Sequence, residues 1–365
     1  MPTRSLHLAV DLSAAGARAG TWRDVGSRAP RAFDLARLAG LVATAERGTL
    51  DLVVLDDDFT VRPTRDTALR GRLDAALVMA RLAPVTRGIG LVSTVGAEVG
   101  ADHVGQAVAT VDELSGGRAG WQVGPAARVG QPATDVVALI GAVRGTWDAA
   151  ATRAHTVGVA SPDRAGRGYV ELDGVHVAGA AAAGAGRSGA RPVQPRPPVV
   201  VRADTHRALE VAGSVADVVR VRALDAASAS AQRAVVRAAA AAAGRHPDEV
   251  VVLVDVYTVI GPDPAAASAR LDLLISLDGV AWDEGSYVHV GTADALAATA
   301  AQWLAGGAAD GFTVRPSSLT ADLHGLVDGV VPLLRERGLH RHEYPGTTLR
   351  ETLGLPLHRA HRVAG

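Results

Sequence analysis

The sequence predicts a (β/α)8 TIM barrel with two long excursions, at about 151–196 and 262–291. Three observations lead there. Short β-rich runs alternate with longer helical stretches along the chain. Eight such runs can be counted, and several are almost continuously apolar, as expected of parallel strands buried on both faces. No G-x-G-x-x-G follows a strand in the early units, which removes the main signature of an open dinucleotide-binding sheet.

The eight runs are LHLAVDL (6–12), LDLVVLDDD (50–58), GIGLVSTVG (88–96), RAGWQVG (118–124), PPVVVRA (197–203), DVVRVRA (217–223), VVVLVDVYTVIG (250–261) and GFTVRP (311–316). Between them lie helical stretches with recognisable ends. FDLARLAGLVATAERG closes at Gly48, a candidate left-handed C′ residue. VDELSGGRAGW places a helix end at Ser115-Gly116-Gly117 and starts the fourth strand at Arg118. The Ala-rich stretch 227–244 ends in Gly244, and Thr292 is the expected N-cap of the helix that follows it. The first excursion contains a Gly/Ala/Pro stretch, 178–197, expected to be mobile. Excursions from the C-terminal face of a barrel are commonly lids or binding loops. Residues 1–338 are expected to form one barrel domain with its insertions. Residues 339–365 are expected to be a C-terminal tail packed on or near it, with His340, His342, His358 and His361 as solvated surface.

Composition narrows the function. Of 365 residues, 48% are hydrophobic, which is ample for a large core, and the net charge is −1. Near-neutrality argues against nucleic acid or an anionic membrane as partner. No apolar run reaches the roughly 18 residues of a membrane span, and the first residues lack a signal-peptide pattern. A soluble cytoplasmic protein is the expectation. Cys is absent, so disulfides and thiol nucleophiles are excluded. All 37 basic residues apart from His are Arg, so lysine-based phosphate binding and Schiff-base chemistry are excluded too. Asn is also absent.

In a barrel the strand ends carry function. Here they hold Asp56-Asp57-Asp58, Ser93-Thr94, Trp121-Gln122, Arg202-Ala203-Asp204-Thr205 and Arg315. Consecutive aspartates on a strand point to opposite faces, so the triplet does not predict a metal site. Neither a G-x-S-x-G nor a Ser/His/Asp ordering is present.

The order of these pieces resembles the bacterial luciferase-like flavin monooxygenases, in the branch of nitrilotriacetate monooxygenase, pristinamycin synthase and dibenzothiophene-sulfone monooxygenase. The resemblance is carried by LHLAVDL with GTWR, LARLAGLVATAERGTLDLVVLDDD, LAPVTRGIGLVSTVG, HVGQAVATVDELSGGRAGWQV, RPVQPRPPVVVRA and the terminal RGLHRHEYPGTTLRETLGLP. It implies a two-component monooxygenase. Reduced FMN from a separate NAD(P)H:FMN reductase reacts with O2 to a peroxyflavin, which oxygenates a small organic substrate. The cofactor then carries the hard chemistry, which accounts for the missing acid–base dyad. The family pattern implies that Asp57 and Thr94 hold the flavin ring and that Gln122 stands where relatives have Asn. It also puts Arg202 and Thr205 near the FMN phosphate at a helix start. His103 and Trp22, the latter paired with Arg23, are the implied catalytic residues, and a homodimer is implied. Asp204 would repel a phosphate if it pointed inward. Two alternatives stand beside this reading: an F420-dependent oxidoreductase of the same superfamily, and a flavin-free barrel that is non-catalytic and serves a partner.

Overall fold

The computed structural model describes residues 5–13, 34–56, 73–124, 135–159, 169–172, 175–178, 192–278 and 285–357. Eight parallel strands close on themselves. β1 (His7–Asp11) is followed by β2 (Leu52–Leu55), β3 (Gly90–Val95) and β4 (Ala119–Val123). Then come β5 (Tyr169–Leu172) and β6 (Val175–Ala178), which pair only with each other as an antiparallel hairpin. β7 (Val199–Ala203), β8 (Val218–Val221), β9 (Val251–Ile260), β10 (Val288–Gly291) and β11 (Gly311–Pro316) complete the series. The barrel runs β1-β2-β3-β4-β7-β8-β9-β11 and returns to β1, with the β8–β9 and β11–β1 pairings closing it. The eight runs expected from sequence are these eight strands. β10 adds a short strand to the upper half of β9, where Val288 pairs with Tyr257.

Helices α1 (Leu35–Arg47), α2 (Ala75–Leu82), α3 (Ala101–Ser115), α4 (Val136–Val159), α5 (His206–Val215), α6 (Ala226–Ala242), α7 (Pro264–Asp278) and α8 (Ala293–Ala305) surround the strands. Their ends follow from local chemistry. Asp34, Asp74, Thr205, Asp225 and Thr292 each accept a hydrogen bond from the first turn of the helix they begin. The Gly116-Gly117 turn is as expected: Gly116 has φ 68° and Gly117 φ 94°, values a side chain would strain. The end of α1 differs. Gly48 is right-handed at φ −73°, and Thr49, at φ 52°, takes the left-handed position. The Thr49 hydroxyl lies 2.7 Å from the Gly48 carbonyl and 3.1 Å from that of Arg341, and it accepts from Arg335 Nη2 at 3.1 Å.

The interior of the barrel has an apolar floor. Ala9, Leu52, Val54, Val92, Val200, Val218, Val251 and Leu253 point inward at the lower ends of their strands. Leu349, Leu353 and Leu355, from beyond the last barrel strand, complete this cluster and are all nearly inaccessible to solvent. Two strand glycines make room for Leu349. A Cβ on Gly90 would collide with its side chain, and one on Gly120 would come within 3.1 Å. Arg350 fixes the segment laterally, donating to Asp217 at 3.0 Å and to the Arg196 carbonyl at 2.8 Å. His340 is not surface, contrary to expectation. It is 4% exposed, with Nε2 3.1 Å from the Gly48 carbonyl and 3.2 Å from Thr49 Oγ1.

The two excursions lie differently. The end of the first returns along the floor side, where the Gln194 amide donates to Asp112 Oδ1 at 2.7 Å and to the Ala119 carbonyl at 3.0 Å. Most of its Gly/Ala/Pro stretch, 179–191, falls outside the described residues. The second leaves the C-terminal end of β9. It holds α7, tied by Arg270 to buried Asp322, and returns through Ser286, whose hydroxyl donates to the Asp255 carbonyl at 2.5 Å. No helix among the described residues is long and apolar enough to cross a membrane.

Candidate active site at the barrel mouth

Strand alternation decides which side chains enter the barrel. Each floor residue fixes the face of the residue two positions on. Ala9 leads to Asp11, Val54 to Asp56, Val92 to Thr94, Val200 to Arg202, Val218 to Arg220 and Leu253 to Asp255. The interior therefore changes from apolar to charged within one layer. Arg220 stands at its centre. Its Nε and Nη2 donate to both oxygens of Asp255 at 2.9 Å each, and Nη2 also donates to Asp11 Oδ2 at 2.8 Å. Its Nη1 donates to Gln122 Oε1 at 2.8 Å. The Arg220 side chain is 1% exposed and those of Asp11 and Asp255 4% and 5%, so these charges are sealed from water.

Electrostatics follow from that sealing. Burial alone would raise the Asp11 carboxyl. The guanidinium groups of Arg220 and Arg315, with hydrogen bonds from Ser13 and Arg220, outweigh it and hold Asp11 well below the usual carboxylate range. Burial likewise opposes the charge on Arg220, and Asp255 and Asp11 outweigh it, raising its affinity for the proton.

The orientation of Gln122 is dictated by Arg220. A guanidinium only donates, so the amide oxygen must face it and the amide nitrogen must face the other way. That nitrogen donates to Thr94 Oγ1 at 2.8 Å. Thr94 is thus committed as an acceptor from Gln122, and its own hydroxyl proton is left for another acceptor.

Above this layer a cavity of about 400 Å³ opens at the C-terminal ends of the strands. Arg202, Asp204, Arg220, Arg222, Asp255, Tyr257 and Arg315 supply its polar wall. Arg222 clasps Asp204 with two hydrogen bonds, at 3.0 and 2.6 Å. Those bonds and the charge of Arg222 lower the Asp204 carboxyl below its ordinary value. Arg202 lies 3.5 Å from Asp56, whose backbone N–H donates to Ser13 Oγ at 2.8 Å. A second cavity of about 340 Å³ opens at the opposite face beside Ser5, His7, Arg237 and Asp310. It lies at the strand starts, the face that in barrels serves stability.

The structure brings Arg202 to the cavity wall, and Thr94 and Gln122 to the sealed layer of Arg220, both buried. Thr205 is placed differently: it begins α5 and its hydroxyl accepts the Ala208 N–H at 3.2 Å, capping its own helix. His103 is exposed in the first turn of α3 and is not part of the cavity wall. Asp57 and Trp22 lie outside the described residues. Asp204 does not stand as a bare charge, because Arg222 neutralises it. Sequence reading missed Arg220, Asp11 and Asp255. Their signal was a charged residue inside a doubly buried strand, with Arg220 and Arg222 two apart on one face.

Similarity to known proteins extends this picture. The family model described as luciferase-like monooxygenase matches residues 12–328. The chain is 24% identical to N-acetyl-S-(2-succino)cysteine monooxygenase of Bacillus subtilis (strain 168), covering 96% of this chain and 97% of that one. It is 26% identical to dibenzothiophene-sulfone monooxygenase of Rhodococcus erythropolis, covering 86% and 88%. Among solved structures, EDTA monooxygenase from Chelativorans sp. BNC1 superposes with a TM-score of 0.74 at 22% identity, covering 97% and 99%, a likeness of fold.

Proposed function

The chain belongs to the luciferase-like monooxygenase family, and from that membership we propose a two-component, FMNH2-dependent monooxygenase. Reduced FMN from a separate NAD(P)H:FMN reductase and O2 serve to place one oxygen atom in a small organic substrate. The observation that carries this reading is the hydrogen-bond chain from Arg220 through Gln122 to Thr94 beside a cofactor-sized cavity.

The described residues fit a flavin mononucleotide. A volume of about 400 Å³ lies within the range of small-ligand sites, roughly 300–1,000 Å³. Arg202 would meet a phosphate together with the first N–H groups of α5. Thr94, whose hydroxyl proton Gln122 does not use, would hold an acceptor on the ring, and Asp57 would act beside it, as the family pattern implies. When bound, reduced FMN supplies the activation of O2. This chain's residues bind it, orient it and keep water away. The apolar floor closes the site from below, and the sealed Arg220 layer offers fixed dipoles that need no reorganisation during reaction.

Anaerobic titration with FMNH2, followed by fluorescence quenching, tests the reading, with F420 titrated alongside. Saturable FMNH2 binding is expected, and no binding at tens of micromolar would sink the proposal. Thr94→Val is expected to weaken FMN about three- to tenfold, since a net hydrogen bond contributes about 0.5–1.5 kcal/mol. It also leaves the Gln122 amide unpaired, so the melting temperature should fall as well. Thr94→Ser keeps the hydroxyl and is expected to restore both values.

A further inference from the structure

The charged groups at the mouth are not equally occupied. Asp11 Oδ2 accepts from Arg220 at 2.8 Å and Oδ1 accepts the Ser13 N–H at 3.0 Å. Both oxygens of Asp255 are taken by Arg220. Asp204 is held by Arg222, and Asp56 lies beside Arg202. Arg315 differs from all of these. Its Nη1 donates to the Tyr257 hydroxyl, and its Nε is 3.9 Å from Asp11 Oδ2, too far for a hydrogen bond. A guanidinium carries five N–H donors. Among the described residues, one hydrogen bond is all that Arg315 makes.

The group is nevertheless fixed. Its central carbon lies 4.9 Å from the centroid of the Tyr257 ring, so stacking and the phenol bond hold the plane in place. It is also the outermost member of its layer. Its side chain is 24% exposed, against 1% for Arg220 and 4–5% for Asp11 and Asp255. Arg220 and Arg315 balance Asp11 and Asp255 in charge. An incoming anion, however, meets Arg315 before it meets either carboxylate.

We propose that Arg315 is the anion receptor of the mouth and binds a carboxylate of the substrate, which makes the substrate a carboxylate-bearing compound. The planar fork of a guanidinium matches a carboxylate with two parallel hydrogen bonds. Preorganisation on Tyr257 removes most of the entropy lost in ordering a free arginine. The assignment to substrate rather than cofactor phosphate rests on position and on the function proposed above. Arg315 is on β11, three strands round the barrel from Arg202 on β7, where α5 begins.

Calorimetry with succinate, against its uncharged diamide, tests this with and without FMN present. FMN affinity is measured separately on the same proteins. Wild type is expected to bind succinate and not the diamide. Arg315→Gln is expected to lose about ten- to hundredfold in succinate affinity, the range for hydrogen bonds to charged groups, while FMN affinity changes less than twofold. Arg315→Lys, which keeps the charge but not the fork, is expected to fall between the two. Wild type that ignores succinate, or Arg315→Gln that binds it unchanged, overturns the proposal. So does a variant that loses FMN and keeps succinate, because Arg315 then belongs to the cofactor. If no protein binds FMN but the succinate pattern holds, the cofactor reading fails and the receptor stands.

Discussion

Arg220→Met is expected to destabilise the barrel by about 3–5 kcal/mol at neutral pH, the cost of leaving buried charges without their partner. Four acceptor atoms on three residues depend on that one guanidinium: Asp11 Oδ2, both oxygens of Asp255, and the Gln122 amide oxygen. Methionine is close in volume, so the loss reports charge and hydrogen bonding rather than a cavity. The pH dependence gives a sharper test. In the native protein Asp11 is held well below its unfolded value, so its stabilisation is present above the unfolded value and lost as pH falls. In the variant, burial dominates and the carboxyl rises above its unfolded value. The deficit is then largest at neutral pH and shrinks as the medium becomes acidic. Urea melts of both proteins across the acid range should therefore converge. Parallel curves would mean that Asp11 does not depend on Arg220. Arg220→Lys is expected to be intermediate, since one ammonium cannot span acceptors on β1, β4 and β9.

Leu349→Ala carries the other large expected effect, about 2–5 kcal/mol, typical of truncating a leucine in a packed core. Its side chain is fully buried among inward-facing residues of the strands, with Gly90 and Gly120 shaped around it. The surrounding strands are locked in a closed ladder and cannot collapse into the gap. Thermal melts should show the loss, while FMN affinity stays close to wild type because the floor lies below the Arg220 layer. A variant that melts normally would show that the barrel stands without this plug.

The strand count was legible because doubly buried parallel strands write themselves as apolar runs, and the glycines after Ser115 mark a turn on their own. Thr94, Gln122 and Arg202 were legible as strand-end residues. The Arg220 layer was not read, although Asp255 interrupts VVVLVDVYTVIG and Arg220 and Arg222 share a face. Nothing local says that three charges from β1, β8 and β9 meet, since that depends on barrel closure. The burial of His340 was hidden for a related reason. LHRHE is a polar stretch by composition, and only contact with the end of α1, some 290 positions earlier, supplies the partners that let an imidazole leave water.

The floor has a consequence for the order in which the protein acquires its shape. Leu349, Leu353 and Leu355 follow every barrel strand in the chain, β11 included. While the chain is being made, the strands leave the ribosome before the residues that fill the space between them. Until residues 349–355 emerge, strands that pair would enclose an unfilled centre lined by Ala9, Leu52, Val92 and Val218. Apolar surface exposed in that interval is the kind that chaperones hold. Completion of this barrel is therefore a step that follows synthesis of its strands rather than one that accompanies it.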